Sequence, residues 1–168
     1  KSRSRGLGDV YKRQLLDFQE YFVELKSEPN LNDVIYLNSE DADITTEVSK
    51  AIEEAEKIVI GPSNPILSIG PILSLENLKE KLINDEATYI VSPFIQDKAI
   101  KGPSKKNFED LGYKSDITGI KKFYDNVGNF YIVHNGDSDD AENTIEKNIL
   151  FKSIADSISL ARYIVDHE

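Results

Sequence analysis

Residues Ile58 to Leu73 read IVIGPSNPILSIGPIL, an apolar run that meets glycine and proline and then resumes at once with apolar residues. The β-branched side chains that open it pack well on a pleated surface and read as a strand. Gly61 and Pro62 punctuate that strand, and a segment of helical period follows. Strand, tight loop and helix in succession begin a βαβ unit, which points to a parallel sheet. In an open sheet of this kind, ligands sit beyond the carboxyl ends of the strands, where IVIG stops. Gly61 lets a backbone or ligand approach closely, while Pro62 and Pro65 stiffen the loop and carry no N–H. The donors left are the amides of Gly61, Ser63, Asn64 and Ile66, the Ser63 hydroxyl and the Asn64 carboxamide. Such a set can hold a phosphate or the edge of a nucleobase. An ordinary strand-to-helix turn accounts for the same residues, and local chemistry does not choose between the two. No Gly-Lys-Ser/Thr follows and no G-x-G-x-x-G exists, so this is neither a P-loop nor a dinucleotide fingerprint.

Working outward, short β-branched runs alternate with helical segments. Val34 to Leu37 reads as a strand, followed by a helix over TTEVSKAIEEAEK with Val48, Ala51, Ile52 and Ala55 on one stripe. Lys57 to Ile60 is the next strand. Beyond the loop, Leu75, Leu78 and Leu82 share a helical face, and TYIVSPF (88–94) reads as strand. A helix is expected from Ser104, with Gly112 as its stop. Another carries Ile117, Ile120, Phe123, Tyr124 and Val127, and FYIVH (130–134) returns to strand. The last helix spans about Ser153 to Val165, with Ser153 and Asp156 placed as a capping box and Ile154, Ile158, Ala161 and Val165 as its expected buried face. The alternation predicts an α/β fold, Rossmann-like, with a mainly parallel sheet and flanking helices.

The opening stretch differs in composition from the rest. Ser4 to Gln14 is what a common transposase sequencing adapter encodes when translated, so Lys1 to Gln14 is expected to be a non-native segment. Residues 15–168 are then expected to be the C-terminal part of a longer α/β domain whose N-terminal part is missing. Setting those residues aside lowers the basic count from 20 to 15 and the acidic count from 30 to 29, which moves the formal net charge from -10 to -14. A chain so acidic repels nucleic acid and anionic membranes. With no cysteine, disulfides, thiolate nucleophiles and cysteine metal sites are excluded, and a cytoplasmic location is expected. The apolar run from Ile58 to Leu75 holds three prolines among Ser63, Asn64 and Ser68, a poor fit to a membrane span.

At Gly61 to Leu73 the chain resembles the CofD family of 2-phospho-L-lactate transferases, whose hallmark reads G-P-S-N-P-x-x-S-I-G-P-I-L. The resemblance continues through FQEYFV (18–23), AIEEAEKIVI (51–60), VSPF (91–94) and KGPSKKNFEDLG (101–112), and covers nearly all of Leu15 to Glu168. A related nucleotide-sugar-binding family has G-P-G-S-L-Y-T-S at the loop, which this chain lacks. The resemblance implies a transferase of coenzyme F-420 biosynthesis. Its donor would be a guanosine diphosphate ester of 2-phospholactate or of phosphoenolpyruvate, and its acceptor the side-chain hydroxyl of the deazaflavin Fo. It also implies Mg2+ and a homodimer. By position, Gly61, Ser63, Asn64, Ser68 and Ile69 would contact the guanosine diphosphate part. Lys106 matches the family lysine and lies near Lys101 and Lys105 in a basic cluster; a solvated first turn of helix explains it as well.

The family's glycine-rich G-G-T-G-type loop and its metal-holding aspartates have no counterpart here, so catalytic and metal residues are expected outside this chain. A regulator that binds nucleotide without turnover, or a subunit kept for interaction, are the alternative readings. The acidic stretches Glu40–Asp43 and Gly136–Asp140 read as solvated loops; the second departs from the calcium-loop pattern at Ala141 and Glu142. His134 and His167 have no spacing that suggests a triad. A sheet cut in half is expected to leave strand edges and apolar faces uncovered.

Overall fold

A computed structural model of the chain describes residues 15–96, 98–99 and 102–167. The segment Lys1 to Gln14 and Lys101 of the basic cluster lie outside them. The chain forms two compact units that divide after Asn30. In the first, a π-helical turn spans Glu20–Glu24. Phe18 stacks on Phe22 at 5.4 Å, and the Tyr21 hydroxyl donates to the Ser27 carbonyl at 3.4 Å.

The second unit is the α/β part. In chain order its elements are α1 (Thr46–Glu54), β1 (Ile58–Ile60), a π-helical turn Pro65–Ile69 running into α2 (Gly70–Leu73), α3 (Glu76–Leu82) and β2 (Thr88–Val91). A hairpin of β3 (Phe94–Ile95) and β4 (Lys98–Ala99), α4 (Ser104–Asp110), α5 (Ile117–Tyr124), β5 (Phe130–Val133), β6 (Thr144–Glu146) and α6 (Ile154–Asp166) complete it. The main sheet has the order β1-β2-β5-β6 and every pairing is parallel, with Val59 beside Tyr89 and Ile90 beside Tyr131. The expected Rossmann-like α/β architecture is therefore present.

Both faces of the central strands β2 and β5 are covered, as parallel sheets require, and side chains alternate between them. Ile90, Tyr131 and Val133 join Leu82 of α3, Phe108 of α4 and Ile120 of α5 in one core. Tyr89, Val91 and Ile132 point the other way, onto Leu160 and Ile164 of α6. The helix starts follow the capping signals. Thr45 accepts from the Val48 amide, Asp116 accepts from the Gly119 amide at 2.9 Å, and Ser153 with Asp156 completes the capping box. Gly112, at φ +79, ends the turn after α4.

Five expectations are corrected. α5 ends at Tyr124, where Asp125 turns left-handed, so Val127 lies past the helix although it stays in the core. Val34 to Leu37 is not a strand; Ile35 and Leu37 face solvent and no ladder partner lies beside them among the described residues, so apolar content alone built nothing there. TYIVSPF is broken after Val91, where the Ser92 hydroxyl donates to the Phe94 carbonyl and accepts from the Phe94 amide, turning the chain into the β3–β4 hairpin. Of the α1 stripe, Ile52 packs on the core and Ala55 is half-buried, whereas Val48 and Ala51 stay exposed. On α6 the expected buried face is the exposed one: Ile154, Ile158, Ala161 and Val165 all face solvent, and the sheet receives Leu160 and Ile164 instead. His167 fixes that rotation. Its Nδ1 lies 2.7 Å from the Tyr89 hydroxyl, and its ring packs edge-on against Phe130 at 5.0 Å.

Candidate functional site

The loop after β1 sits at the carboxyl end of the sheet, as its place in a βαβ unit demands. Pro62, Ser63 and Ser68 are exposed, while Pro65, Ile66 and Gly70 are buried. Asn64 caps the helical run that follows: its Oδ1 accepts from the amides of Ile66 at 3.0 Å and Leu67 at 3.1 Å. Pro65 occupies the first helical position, where a missing N–H does no harm. The Asn64 Nδ2 donates to Asn107 Oδ1 at 2.9 Å, and Asn107 is fully buried in the first turn of α4. This one side chain therefore fastens the loop to α4, the helix that carries Lys106.

Several backbone donors of the loop and of the turn after it are engaged internally. The Ser63 amide donates to the Gly61 carbonyl at 2.8 Å, and the amides of Ser68 and Ile69 both go to the Asn64 carbonyl. The Ile69 side chain packs against the core. What the loop turns outward is the pair of serines 63 and 68, together with the space beside Gly61, where an added Cβ would meet nothing within 4 Å. Asn64 and Ile69 thus shape the loop from within. Lys106 pairs with Asp110 at 2.6 Å, and the same Asp110 oxygen accepts from the Leu31 amide at 2.9 Å. Two hollows of about 600 Å³ and about 410 Å³, which share Asp43 and Asn77 in their linings, lie beside α3 and do not include the loop.

Sequence reasoning missed Asn107, Asp110 and Tyr36. Tyr36 donates to the Ile66 carbonyl at 2.7 Å, closing the loop from below. Burial first, then the nearby Tyr113, pushes its hydroxyl up to about 12, so it remains a donor at neutral pH. A polar residue inside the KKNFED helix was the available signal for Asn107. Nothing local marked Tyr36, whose partner is distant in sequence. Tyr36 also explains Gly70, since a Cβ there would come within 1.9 Å of the Tyr36 Oη and 2.6 Å of its Cζ. Gly70→Ala is expected to displace Tyr36 and destabilise the chain by about 1–3 kcal/mol, the usual range for overpacking. Gly61→Ala, facing open space, should stay within about 0.5 kcal/mol. Urea titration of both variants checks the contrast, and equal losses would contradict it.

Among the described residues, no group of three or more His, Asp or Glu side chains is placed to hold a metal. The second acidic stretch has other work. Asp139 is clamped by Lys121 at 2.8 Å, and Lys121 also reaches Asn143 and Thr144, tying α5 to the loop before β6. Burial would raise the Asp139 carboxyl, but hydrogen bonds from Lys121 and Thr144 outweigh it and hold it below the usual range. Asp116 is similar: burial raises it, and bonds from Thr118 and Gly119 bring it below. Because both are depressed in the fold, the unfolded chain takes up protons first as pH falls. Their contribution is complete above the ordinary value of 3.8 and disappears as pH drops through the folded values. Acid unfolding should therefore steepen below about pH 4. The stability deficit of Asp139→Asn at pH 7 should shrink in urea melts at pH 3, and a deficit constant across that range would refute the assignment.

No helix of the described chain is long and apolar enough to cross a membrane. Comparison with known proteins adds to this geometry. The family model described as 2-phospho-L-lactate transferase CofD matches residues 9–155. The chain is 35% identical over 159 residues to a protein of Methanocaldococcus jannaschii named 2-phospho-L-lactate transferase, covering 92% of this chain and 51% of that protein. It is 36% identical to a protein of the same name from Methanococcus vannielii, over 93% of this chain and 51% of the relative. A further one, from Methanospirillum hungatei, is 32% identical over 94% and 51%. The chain thus spans about half the length of the curated relatives it matches. With an internally capped Gly-Pro-Ser-Asn-Pro loop at the carboxyl end of a parallel sheet and a family match over most of its length, this chain belongs to the CofD family.

Proposed function

We propose that the protein of which this sheet is a part transfers a 2-phospholactyl or enolpyruvyl phosphate group from a guanosine diphosphate ester to the side-chain hydroxyl of the deazaflavin Fo, in coenzyme F-420 biosynthesis. The acceptor oxygen forms a new bond to phosphorus, the bond to the guanylate oxygen breaks, and GMP leaves. Chemistry of this kind depends mostly on positioning and on neutralising charge. The observation that supports this reading is the Asn64–Asn107 bond, which holds an exposed serine loop against the helix bearing Lys106. In this reading Gly61, Ser63 and Ser68 form one wall for the guanosine diphosphate part. Asn64 and Ile69 hold that wall in shape, and Lys106 supplies positive charge beside it. In this reading the ligands for Mg2+ and the catalytic groups come from outside the described residues, among which no group of three or more His, Asp or Glu side chains stands together.

One wall binds weakly. Hydrogen bonds to charged groups contribute about 1.5–3 kcal/mol each, against an association cost of about 4–15 kcal/mol. The chain by itself is expected to give no micromolar affinity for GDP in calorimetry. At millimolar GDP, amide resonances of Gly61, Ser63 and Ser68 should shift by NMR while those of α6 do not. No shift at the loop, or tight binding by the chain alone, would overturn the proposal. A regulator would bind GDP yet release no GMP when the whole protein is given donor and Fo, and an interaction subunit would do neither.

A further inference from the structure

We propose that Asp110 is a positioning residue that fixes the Lys106 ammonium beside the Gly61 loop, in place for the phosphates of the donor. This rests on the reading of that loop as a wall for a guanosine diphosphate ester, and adds what holds the positive charge still. The stretch KKNFED offers two lysine–carboxylate pairs four residues apart that look alike, and the fold treats them differently. Lys105 lies 3.4 Å from Glu109, with 42% and 48% of their side chains exposed. Lys106 lies 2.6 Å from Asp110, whose side chain is only 13% exposed. The same Asp110 oxygen accepts from the Leu31 amide at 2.9 Å, so this carboxylate is tethered to main chain outside its own helix. An exposed pair of this spacing contributes little and wanders. A counter-ion held from a second element keeps its lysine in one place.

A closed circuit of hydrogen bonds ties that place to the loop. Asn107, three residues before Asp110 on α4, accepts from the Asn64 Nδ2 at 2.9 Å. The Asn64 Oδ1 accepts from the Ile66 amide at 3.0 Å, and the Ile66 carbonyl accepts from the Tyr36 hydroxyl at 2.7 Å. Tyr36 lies five residues after Leu31, whose amide returns the circuit to Asp110. Leu31 and Val34 seat this strap on the core. The strap and the Asn64–Asn107 bond thus hold α4 and the loop against each other at two points, and a lysine set by Asp110 is set relative to Ser63 and Ser68 as well. Ordering the lysine in advance matters because its rotamer entropy is among the largest of any side chain. In a chain of net charge -10, a loose ammonium also has many other carboxylates to visit. Preorganisation takes both costs out of binding.

Charge and positioning predict opposite signs for Asp110→Asn, which keeps an oxygen for the Leu31 amide and removes the negative charge. By charge alone, deleting a carboxylate near an anion tightens anion binding; lost positioning weakens it. In NMR titrations of the full chain with GDP, followed at the Gly61, Ser63 and Ser68 amides, Asp110→Asn is expected to raise the dissociation constant about threefold, the scale on which a part-exposed ion pair acts. In a Lys106→Gln background the same substitution should not weaken binding. Tighter binding by Asp110→Asn, or equal weakening without the lysine, would overturn the proposal. A second measurement needs no ligand. After reductive dimethylation with carbon-13 formaldehyde, the Lys106 methyl signal, assigned by its absence in Lys106→Arg, should stand apart from that of an exposed lysine such as Lys50 and move towards it in Asp110→Asn. An unmoved signal would also overturn the proposal. If the wild-type loop shows no response to GDP, the nucleotide reading fails, and the methyl signal by itself decides whether Asp110 holds the lysine.

Discussion

Asn64→Ala is expected to lower the unfolding free energy by about 2–4 kcal/mol and to loosen the whole loop. Two losses combine. The cap that accepts from the Ile66 and Leu67 amides disappears, which by itself costs about 0.5–2 kcal/mol. The Asn107 Oδ1 also loses its Asn64 donor in a fully buried place, which adds about 1–3 kcal/mol. Asn64→Ser keeps a cap oxygen but lacks the reach to Asn107, so its loss should fall between wild type and alanine. Urea midpoints of the three proteins, with amide exchange followed at Ser68 and Ile69, check this. A loss below about 0.5 kcal/mol for the alanine variant would mean that the bridge to α4 does not hold the loop.

Phe108→Ala is expected to cost about 3–5 kcal/mol, the range for truncating a buried phenylalanine. The ring is fully buried, and its centroid lies 5.3 Å from that of Phe94, 4.9 Å from Tyr113 and 5.6 Å from Phe123. These offset and edge contacts join α4, α5 and the β3–β4 hairpin, and their aromatic character adds to the area buried. Because Asn107 precedes Phe108, a cavity here also disturbs the anchor of the Gly61 loop. The variant should therefore speed exchange at Ile66 and Leu67 more than an equally destabilising change in α6. Phe108→Leu should recover most of the stability. A loss under about 1 kcal/mol for alanine would show that the cluster collapses around the gap.

The parts legible from sequence were those set by local chemistry. β1, β2 and β5 were readable because β-branched runs sat between turn residues, and α3 and α5 because their apolar residues recurred at helical spacing. The caps at Asp116 and Ser153 act over three residues, so sequence proximity suffices to form them. The face of α6 was not readable. Apolar residues line an arc wider than the sheet can cover, and the choice of Leu160 and Ile164 depends on where His167 meets Tyr89, 78 residues earlier. Val34 to Leu37 had strand composition but no neighbour to pair with, and a strand exists only through its partner.

The same division holds at the loop. Residue types and order determined that a stiff Gly-Pro-Ser-Asn-Pro turn would end a strand at the carboxyl edge of a parallel sheet, and which family it resembles. Tertiary structure decided which of its polar groups face outward. The Asn64 carboxamide, a plausible ligand donor in isolation, is turned inward by Asn107, 43 residues away, and Gly70 is required by a tyrosine 34 residues before it. Backbone propensities and caps act within a few residues, whereas satisfying a buried polar group depends on whatever the folded chain brings within 3 Å of it.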